Sequence, residues 1–166
     1  PASFCAAVRR ALHLAALRGV NIACVGEQGC GKSSVIEPLE KIFDCFPKPQ
    51  KGSSFGLANI LNKDVVMWQD YLHDEATISF ADLLALCVGE SVGVRVVGGN
   101  RSYRNKATVF YSGATLMRCG FRDRSLGDRL DGMMDDRFTC FRFNVPVPRE
   151  TRRPDWPQCG RCAATF

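Results

Sequence analysis

Residues 26 to 33 read Gly26-Glu27-Gln28-Gly29-Cys30-Gly31-Lys32-Ser33 and fit the pattern G-x-x-x-x-G-K-[ST]. They follow the short apolar run from Asn21 to Val25, which is typical of a buried strand, and precede a helical periodicity from Ser33 to Phe46. Glycines let the backbone N–H groups of such a loop point at phosphate oxygens, beside the positive end of the helix. This context predicts a phosphate-binding loop, whereas a chance match would be an ordinary glycine-rich turn.

The end of this loop carries side chains with predicted chemical roles. Lys32 is expected to reach the β- and γ-phosphates of a nucleotide, and the Ser33 hydroxyl is expected to bind Mg²⁺. The predicted nucleotide-binding residues are Gly26, Glu27, Gln28, Gly29, Cys30, Gly31, Lys32, Ser33 and Ser34.

A carboxylate is expected near the loop, because Mg²⁺ prefers hard oxygen ligands. Asp70 closely follows the apolar run from Val65 to Trp68, which predicts a second buried strand, and it fits the place of that ligand. The alternative is an ordinary solvated acid at a strand end. Gln69 is neutral, so the residue that polarises the attacking water is left open.

The charge pattern inverts after this second strand. Residues 65–90 hold five acids and no Lys or Arg, whereas residues 91–117 hold four basic residues and no acid. Alternating valines before the turn signal at 98–100 predict a β-hairpin, on which basic residues could neutralise a nucleic-acid backbone. The alternative is a basic, solvated face. The predicted DNA-binding residues are Arg95, Asn100, Arg101, Arg104 and Lys106.

The remaining periodicities complete an α/β pattern. Helices are predicted from Phe4 to Leu17 and from Ile78 to Val88, and further strands from Ala107 to Tyr111 and from Phe138 to Val145. Strands that alternate with helices predict an α/β sandwich with a largely parallel central sheet.

The length of 166 residues predicts one domain, which we assign to residues 1–148, and an irregular tail at 149–166 that contains Pro and Cys. Cys159 and Cys162 in this tail have the spacing of half a zinc site, with free thiols as the simpler interpretation.

Composition bounds the compartment and the partners. The net charge of +5 indicates a mild preference for anionic partners. Nine cysteines, nearly all isolated in sequence, favour a reducing intracellular compartment. No apolar run approaches the roughly 18 residues that span a bilayer, so no membrane segment is expected. The start at Pro1, without a methionine, suggests a domain cut from a longer chain.

Arg137 directly precedes the predicted strand that begins at Phe138. An arginine at such an edge can reach into the site of a neighbouring subunit and stabilise charge during phosphoryl transfer.

The order of these features resembles the superfamily 3 helicases of small DNA viruses, such as papillomaviruses and parvoviruses, over about residues 4–148. Residues 26–33 resemble the first motif of that family and residues 65–70 its second. Residues 84–106 resemble the DNA-contacting hairpin, and residues 136–143 resemble the stretch with the arginine finger.

The resemblance implies a three-layer, AAA+-like phosphate-loop NTPase that uses ATP and Mg²⁺. It implies an ATP hydrolase and DNA helicase that works as a hexameric homo-oligomeric ring on single-stranded or forked DNA in the host nucleus. The catalytic residues would be Lys32, Asp70 and Arg137, Mg²⁺ would be held by Ser33 and Asp70, and Ser112 would be a sensor.

Two departures from the family pattern concern hydrolysis. The family has two adjacent acids where this chain has Gln69-Asp70, and it has Ser-Asn where this chain has Ser112-Gly113. Nucleotide binding is expected to survive these changes better than turnover. The alternative function is therefore a nucleotide-binding switch or scaffold with degenerate hydrolysis, followed by a small-molecule kinase.

Overall fold

The computed structural model describes residues 2–14, 19–53, 55–116, 132–148 and 150. Its strands are β1 (Asn21–Gly26), β2 (Cys45–Pro47), β3 (Val65–Gln69), β4 (Ser91–Val96), β5 (Gly99–Arg104), β6 (Thr108–Gly113) and β7 (Phe138–Phe143). Five of them form one sheet in the order β2-β3-β6-β1-β7, with every neighbouring pair parallel. The predicted mixed α/β fold with a largely parallel central sheet is confirmed.

Helices cover both faces of this sheet, which is why its central strands are buried and mostly apolar. The helices are α1 (Ala2–Leu14), α2 (Lys32–Ile36) and α3 (Phe80–Val88). On one face, Ala11 of α1 and Ile36 of α2 pack with Ile22 and Phe110 of the sheet. On the other face, α3 and the separate antiparallel hairpin β4–β5 pack against Trp68 and its neighbours.

The third helix agrees with the sequence prediction and has a signal at each end. The Ser79 hydroxyl caps its first turn by accepting a hydrogen bond from the backbone N–H of Asp82 (3.1 Å). Gly89 ends it in the left-handed conformation, with φ of 76°. The leading helix was predicted to reach Leu17 but ends at Leu14 among the described residues, since 15–18 lie outside them.

The helix predicted from Ser33 to Phe46 is wrong beyond Ile36. A 3₁₀ helix follows at Glu37–Lys41, and strand β2, which was not predicted, begins at Cys45. Pro38 stands in the first turn of the 3₁₀ helix. Proline has no N–H to donate and clashes with the preceding helical turn, so the α-helix cannot continue through it.

All strands of the central sheet point the same way, so the sheet has two distinct edges. We call the edge where these strands begin the amino edge, and the edge where they end the carboxyl edge. Asn21 opens β1 beside Phe138 of β7, and Gly26 closes β1 beside Phe143. With a rise of about 3.3 Å per residue, the two edges are roughly 17 Å apart.

Asn21 is a buried polar residue that holds the amino edge together. Its Nδ2 donates to the carbonyl oxygens of Cys87 (2.6 Å) and Arg137 (3.1 Å), and its Oδ1 accepts from the N–H of Val109 (2.9 Å). One side chain thereby joins α3, β6 and the start of β7 to β1. Because a buried amide without partners is costly, this set of bonds is a strong constraint on the fold.

Candidate nucleotide site

The glycine loop at residues 26–33, predicted to bind phosphate, leaves the carboxyl edge of β1 through a glycine that no other residue could replace without distortion. Gly26 has φ of 153°, which L side chains rarely adopt. A Cβ atom at this position would collide with the carbonyl oxygen of Phe143 on β7. The glycine therefore lets two backbones approach closely at the point where the loop begins.

Two further glycines bend the loop, and the chain after β7 closes against it. Gly29 and Gly31 have φ of 85° and 81°, in the left-handed region that favours glycine. The N–H of Val147 donates to the carbonyl oxygen of Gly29 (2.9 Å). A Cβ atom at Gly31 would lie 3.3 Å from Cγ2 of Val147, so Val147, beyond the end of β7, leaves little room for a side chain at position 31.

The two side chains with predicted chemistry stand at the start of α2. Lys32 is its first residue, and the Lys32 ammonium donates to the carbonyl oxygen of Glu27 across the loop (2.6 Å). The Ser33 hydroxyl donates to Oε1 of Gln69 at the end of β3 (3.0 Å). The structure therefore brings Ser33 of the loop into contact with the second motif through Gln69.

Asp70, the predicted Mg²⁺ ligand, lies one residue beyond β3 and is exposed, with φ of 49°. Its N–H donates to the carbonyl oxygen of Ser112 (2.7 Å). Burial, and then the negative charge of Asp70, raise the pKa of Tyr111 to about 12. Asp70 thus lies close enough to act on the phenol of Tyr111, and the role of Asp70 toward Mg²⁺ stays a prediction.

Ser112, the predicted sensor, is buried between the first and second motifs. In the sheet it stands opposite Cys24 of β1 and Gln69 of β3. This register places it beside the strands that carry both motifs, and its role in sensing phosphate stays a prediction.

Steric contact with Tyr111 explains why glycine follows Ser112. A Cβ atom at Gly113 would collide with the hydroxyl of Tyr111, which donates to the carbonyl oxygen of Thr115 (3.0 Å). The asparagine of the resembled family has no room here while Tyr111 keeps this position. Sequence reasoning missed Tyr111, although an aromatic residue two positions before a strand-end glycine lies on the same face of the strand.

Arg137, the predicted finger, lies at the amino edge and so at the far end of the sheet from the loop. Its carbonyl oxygen accepts the bond from Asn21, and its Nη1 donates to the carbonyl oxygen of Met133. Its Nε is buried and has no hydrogen-bond partner within the described residues. The geometry therefore separates Arg137 from the phosphate loop of its own chain.

The basic hairpin also springs from the amino edge. Asn105, which directly follows β5, donates to the carbonyl oxygens of Leu86 and Ala107 (2.8 Å each). The next residue in α3, Cys87, is the one that accepts from Asn21 at the start of β1. The hairpin turn is formed by Val97 and Gly98, slightly earlier than predicted, and Val97 is 96% exposed.

The predicted DNA-binding residues divide between the two faces of the hairpin. Arg95 pairs with Asn100 on one face, and Arg101 pairs with the buried Val94 on the other. Arg104 is exposed and uses its Nε to donate to the carbonyl oxygen of Gly89 (3.0 Å). Lys106 follows the hairpin and is exposed. The hairpin thus presents one exposed polar face with a single arginine near its tip.

A cavity of about 500 Å³ opens beside the start of the loop. It is bordered by Gly26 and by polar side chains of Thr115, Asp135, Arg142 and Asn144. Its lining includes Val25, which belongs to the core on the face opposite to α2. The cavity has both charges and hydrogen-bonding groups, which suits a polar molecule or part of one.

Among the residues that the structure describes, no group of three or more His, Cys, Asp or Glu could hold a metal ion. No helix within the described ranges is long and apolar enough to cross a membrane. Cys159 and Cys162 of the predicted tail lie outside the described residues.

Comparisons with known proteins support the fold. No family model matches the chain, and no curated protein matches it. Among solved structures, the chain is similar to the apo A form of the C-terminal region of NrS-1, with a TM-score of 0.55 and 18% sequence identity. The similarity covers 87% of this chain and 35% of that one, so the chain spans about a third of that structure. At this identity the likeness concerns the fold alone.

Proposed function

We propose that this chain is the ATP-driven motor domain of a DNA helicase or translocase of the superfamily 3 type. The observation that carries the proposal is that the candidate functional residues lie at two opposite edges of one sheet. The loop with Lys32 and Ser33 occupies the carboxyl edge, and Arg137 and the basic hairpin occupy the amino edge. A replication protein of a small DNA virus, or of a mobile element derived from one, acting in the host nucleus, fits this combination.

The residues of the loop fit a nucleotide with Mg²⁺. Its glycines curve the backbone, and Lys32 and Ser33 stand where a phosphate chain and a cation would meet. With a nucleotide bound, Lys32 would exchange the carbonyl oxygen of Glu27 for a phosphate oxygen, and Ser33 and Asp70 would hold Mg²⁺. The cation would supply charge neutralisation on the phosphates.

Arg137 serves a neighbouring subunit and not its own loop. A separation of roughly 17 Å between the edges is too large for one arginine side chain to bridge within the chain. The guanidinium leaves the carbonyl oxygen of Met133 and pairs with a phosphate of the next subunit, where its N–H groups find stronger, charge-assisted partners. A closed ring satisfies every such contact, because each subunit gives one arginine and receives one.

The hairpin binds one DNA strand in the centre of that ring. Arg95 and Asn100 share an exposed face, on which they can contact phosphates without disturbing the valines that pack beneath. ATP turnover moves the hairpins through the links between the hairpin base and α3, such as the bond from Asn105 to the carbonyl oxygen of Leu86.

A second function, a nucleotide-binding switch with slow hydrolysis, is favoured by two specific positions. Gln69 is neutral where an acid would polarise water, and Tyr111 takes the space of the side chain that would follow Ser112. Both changes spare the loop itself. A switch would bind ATP with the same residues and release its product slowly.

The test is ATP turnover at high protein concentration, with and without single-stranded DNA. We compare wild type with Lys32→Ala and Arg137→Ala, and with Arg9→Ala as a control for the loss of one exposed positive charge. Stimulation by DNA, with turnover lost in the first two variants and kept in the control, supports the helicase. Nucleotide binding without turnover under any condition supports the switch.

Mixing the two inactive variants tests the shared site. In a mixed ring, the Lys32→Ala subunit still supplies Arg137 to the intact loop of an Arg137→Ala neighbour, so part of the activity should return. No return of activity, in mixtures that form rings, would argue against an arginine that acts across the interface.

A further inference from the structure

Three side chains form a hydrogen-bonded line that runs from the phosphate loop to the surface. The Ser33 hydroxyl donates to Oε1 of Gln69 (3.0 Å), and Nε2 of Gln69 donates to Oε1 of Glu40 (3.3 Å). Glu40 lies in the 3₁₀ helix that continues α2, so the line joins both ends of this short segment to β3. The family resemblance gives no role to Glu40.

The chemistry of Glu40 fixes the direction of every bond in this line. An ionised carboxylate only accepts hydrogen bonds, so it must face the NH₂ end of the Gln69 amide. The two ends of a glutamine amide are nearly identical in shape, and only such a partner decides between them. With the NH₂ directed at Glu40, the oxygen of Gln69 faces Ser33, and the serine proton must point toward Gln69.

This direction determines whether Ser33 can bind a cation. A hydroxyl that donates its proton to Gln69 keeps its lone pairs available for Mg²⁺, which takes oxygen ligands. With the amide reversed, the NH₂ of Gln69 would donate to the Ser33 oxygen and compete with the cation for the same lone pairs. The neutral Gln69 can therefore support a cation site only in one orientation.

We propose that Glu40 is a positioning residue for Mg²⁺, which orients the Gln69 amide and through it the Ser33 hydroxyl. An acid at position 69 would accept the Ser33 proton directly. Here Glu40 has the same effect through the Gln69 amide, because it turns the amide oxygen toward Ser33. This inference rests on the proposed function, because it assumes that the loop binds a nucleotide together with Mg²⁺.

The decisive variant is Glu40→Lys, whose ammonium only donates and so favours the reversed amide. We measure ATP binding as a function of Mg²⁺ concentration, and ATP binding in EDTA as a separate quantity. The Mg²⁺ concentration for half-maximal binding should rise roughly tenfold, as is typical when a partner that orients a metal ligand is lost. ATP binding in EDTA should match that of the control variant Glu37→Lys. Glu40→Gln, which accepts either orientation, should give a smaller rise.

Two further variants separate orientation from simple charge. Glu37→Lys makes the same change of charge in the same 3₁₀ helix, outside the hydrogen-bonded line. Gln69→Glu in the Glu40→Lys background restores an acceptor that faces Ser33 whichever residue stands at position 40. We expect the control to leave the Mg²⁺ requirement within about twofold of wild type, since the partly exposed Glu37 lies outside the hydrogen-bonded line and water screens its charge. We expect the double variant to regain most of the loss.

Equal shifts in Glu40→Lys and Glu37→Lys would overturn the inference, because charge alone would then account for the effect. A double variant as defective as Glu40→Lys would also overturn it. A wild-type protein that binds ATP equally well with and without Mg²⁺, or that is unaffected by Lys32→Ala, would instead overturn the proposed function together with the inference. Glu40 is exposed, so we expect each substitution at this position to fold; thermal unfolding of each variant checks this.

Discussion

The two edges of the central sheet differ in the burial and the sequence separation of their side-chain hydrogen bonds. At the amino edge, polar side chains are buried or partly buried and hydrogen-bonded. Asn21 uses both ends of its amide, and the hydroxyls of Thr108 and Thr139 donate to the carbonyl oxygens of Ala11 (2.6 Å) and Gly19 (2.9 Å). These bonds span up to 120 residues of sequence, so they hold distant segments together.

At the carboxyl edge, two of the side-chain bonds are exposed to solvent. Lys32 and Glu27 are five residues apart in an exposed bond, and the bond from Gln69 to Glu40 is also exposed. Such bonds exchange readily with water or with a ligand, because little is lost when they open. The comparison teaches that buried, long-range side-chain bonds hold the amino edge, whereas the exposed bonds at the carboxyl edge can open at little cost.

Substitution at Gly26 should cause the largest loss of unfolding free energy, because at this point of the carboxyl edge the backbones of β1 and β7 are in close contact. Gly26→Ala combines a disfavoured φ with a collision against the carbonyl of Phe143, and we expect a loss of roughly 4 kcal/mol of unfolding free energy. Chemical denaturation measures this loss. Gly98→Ala also has a positive φ but meets no atom within 4 Å, so it should cost less than half as much. Equal losses would show that the close approach is unimportant.

Asn21→Ala tests the amino edge directly. The substitution leaves the carbonyls of Cys87 and Arg137 and the N–H of Val109 without their partner, and we expect a loss of about 3 kcal/mol. ATP affinity of the folded fraction should stay within about twofold, since the loop lies at the other edge. Asn100→Ala, on the exposed hairpin, is the matched control and should stay within about 0.5 kcal/mol of wild type. A strong loss of ATP affinity in Asn21→Ala would break the division between the edges.

Alkaline pH should weaken the fold through its buried thiols. Burial raises the pKa of both Cys24 and Cys87 to about 12, from an ordinary value of 9.0. Above about pH 9 the unfolded chain releases these protons while the folded chain keeps them, so stability is intact below this pH and falls as pH rises toward 12. The expected loss is about 1 kcal/mol per thiol between pH 9 and 10. Thermal unfolding across this range measures it, and Cys24→Ala or Cys87→Ala should flatten the slope. An unchanged slope in both variants would contradict this origin.

The smallest effect is expected on the hairpin, and it concerns DNA and not stability. Arg95→Ala should lower the affinity for single-stranded DNA a few-fold and reduce the salt slope by about 0.7, the value for one phosphate contact. Arg101→Ala removes the same charge from the face shared with Val94 and should do less. Fluorescence titrations at several salt concentrations compare the two. A larger effect at Arg101 would reverse the assignment of the DNA-binding face.

The sequence predicted the features that depend on local pattern. The glycine loop, the apolar strands β1, β3 and β6, the capped helix α3 and the alternating hairpin all carry their signals within a few residues. The fold prediction failed where one residue overrode the pattern, since Pro38 ends an α-helix that the apolar spacing alone would continue to Phe46. Strand β2 was missed for the same reason, because its residues had been assigned to that helix.

The candidate site was predictable in its parts but not in its contacts. The sequence indicated Ser33 and a nearby residue of the second motif, yet only the register of β3 reveals that Gln69 faces the serine. The contribution of Glu40 depends on how α2 becomes a 3₁₀ helix, and the exclusion of a side chain at 113 depends on the reach of Tyr111. These are three-dimensional facts without a signature in spacing.

The bond between Val147 and Gly29 gives the chain a mechanical property. The ladder between β1 and β7 ends at Gly26 and Phe143, and beyond it the N–H of Val147 donates to the carbonyl oxygen of Gly29 (2.9 Å). The backbone beyond β7 is therefore tied to the glycine loop as well as to the sheet. A displacement of the loop at Gly29 would therefore also move Val147 and the backbone that leaves the last strand of the sheet.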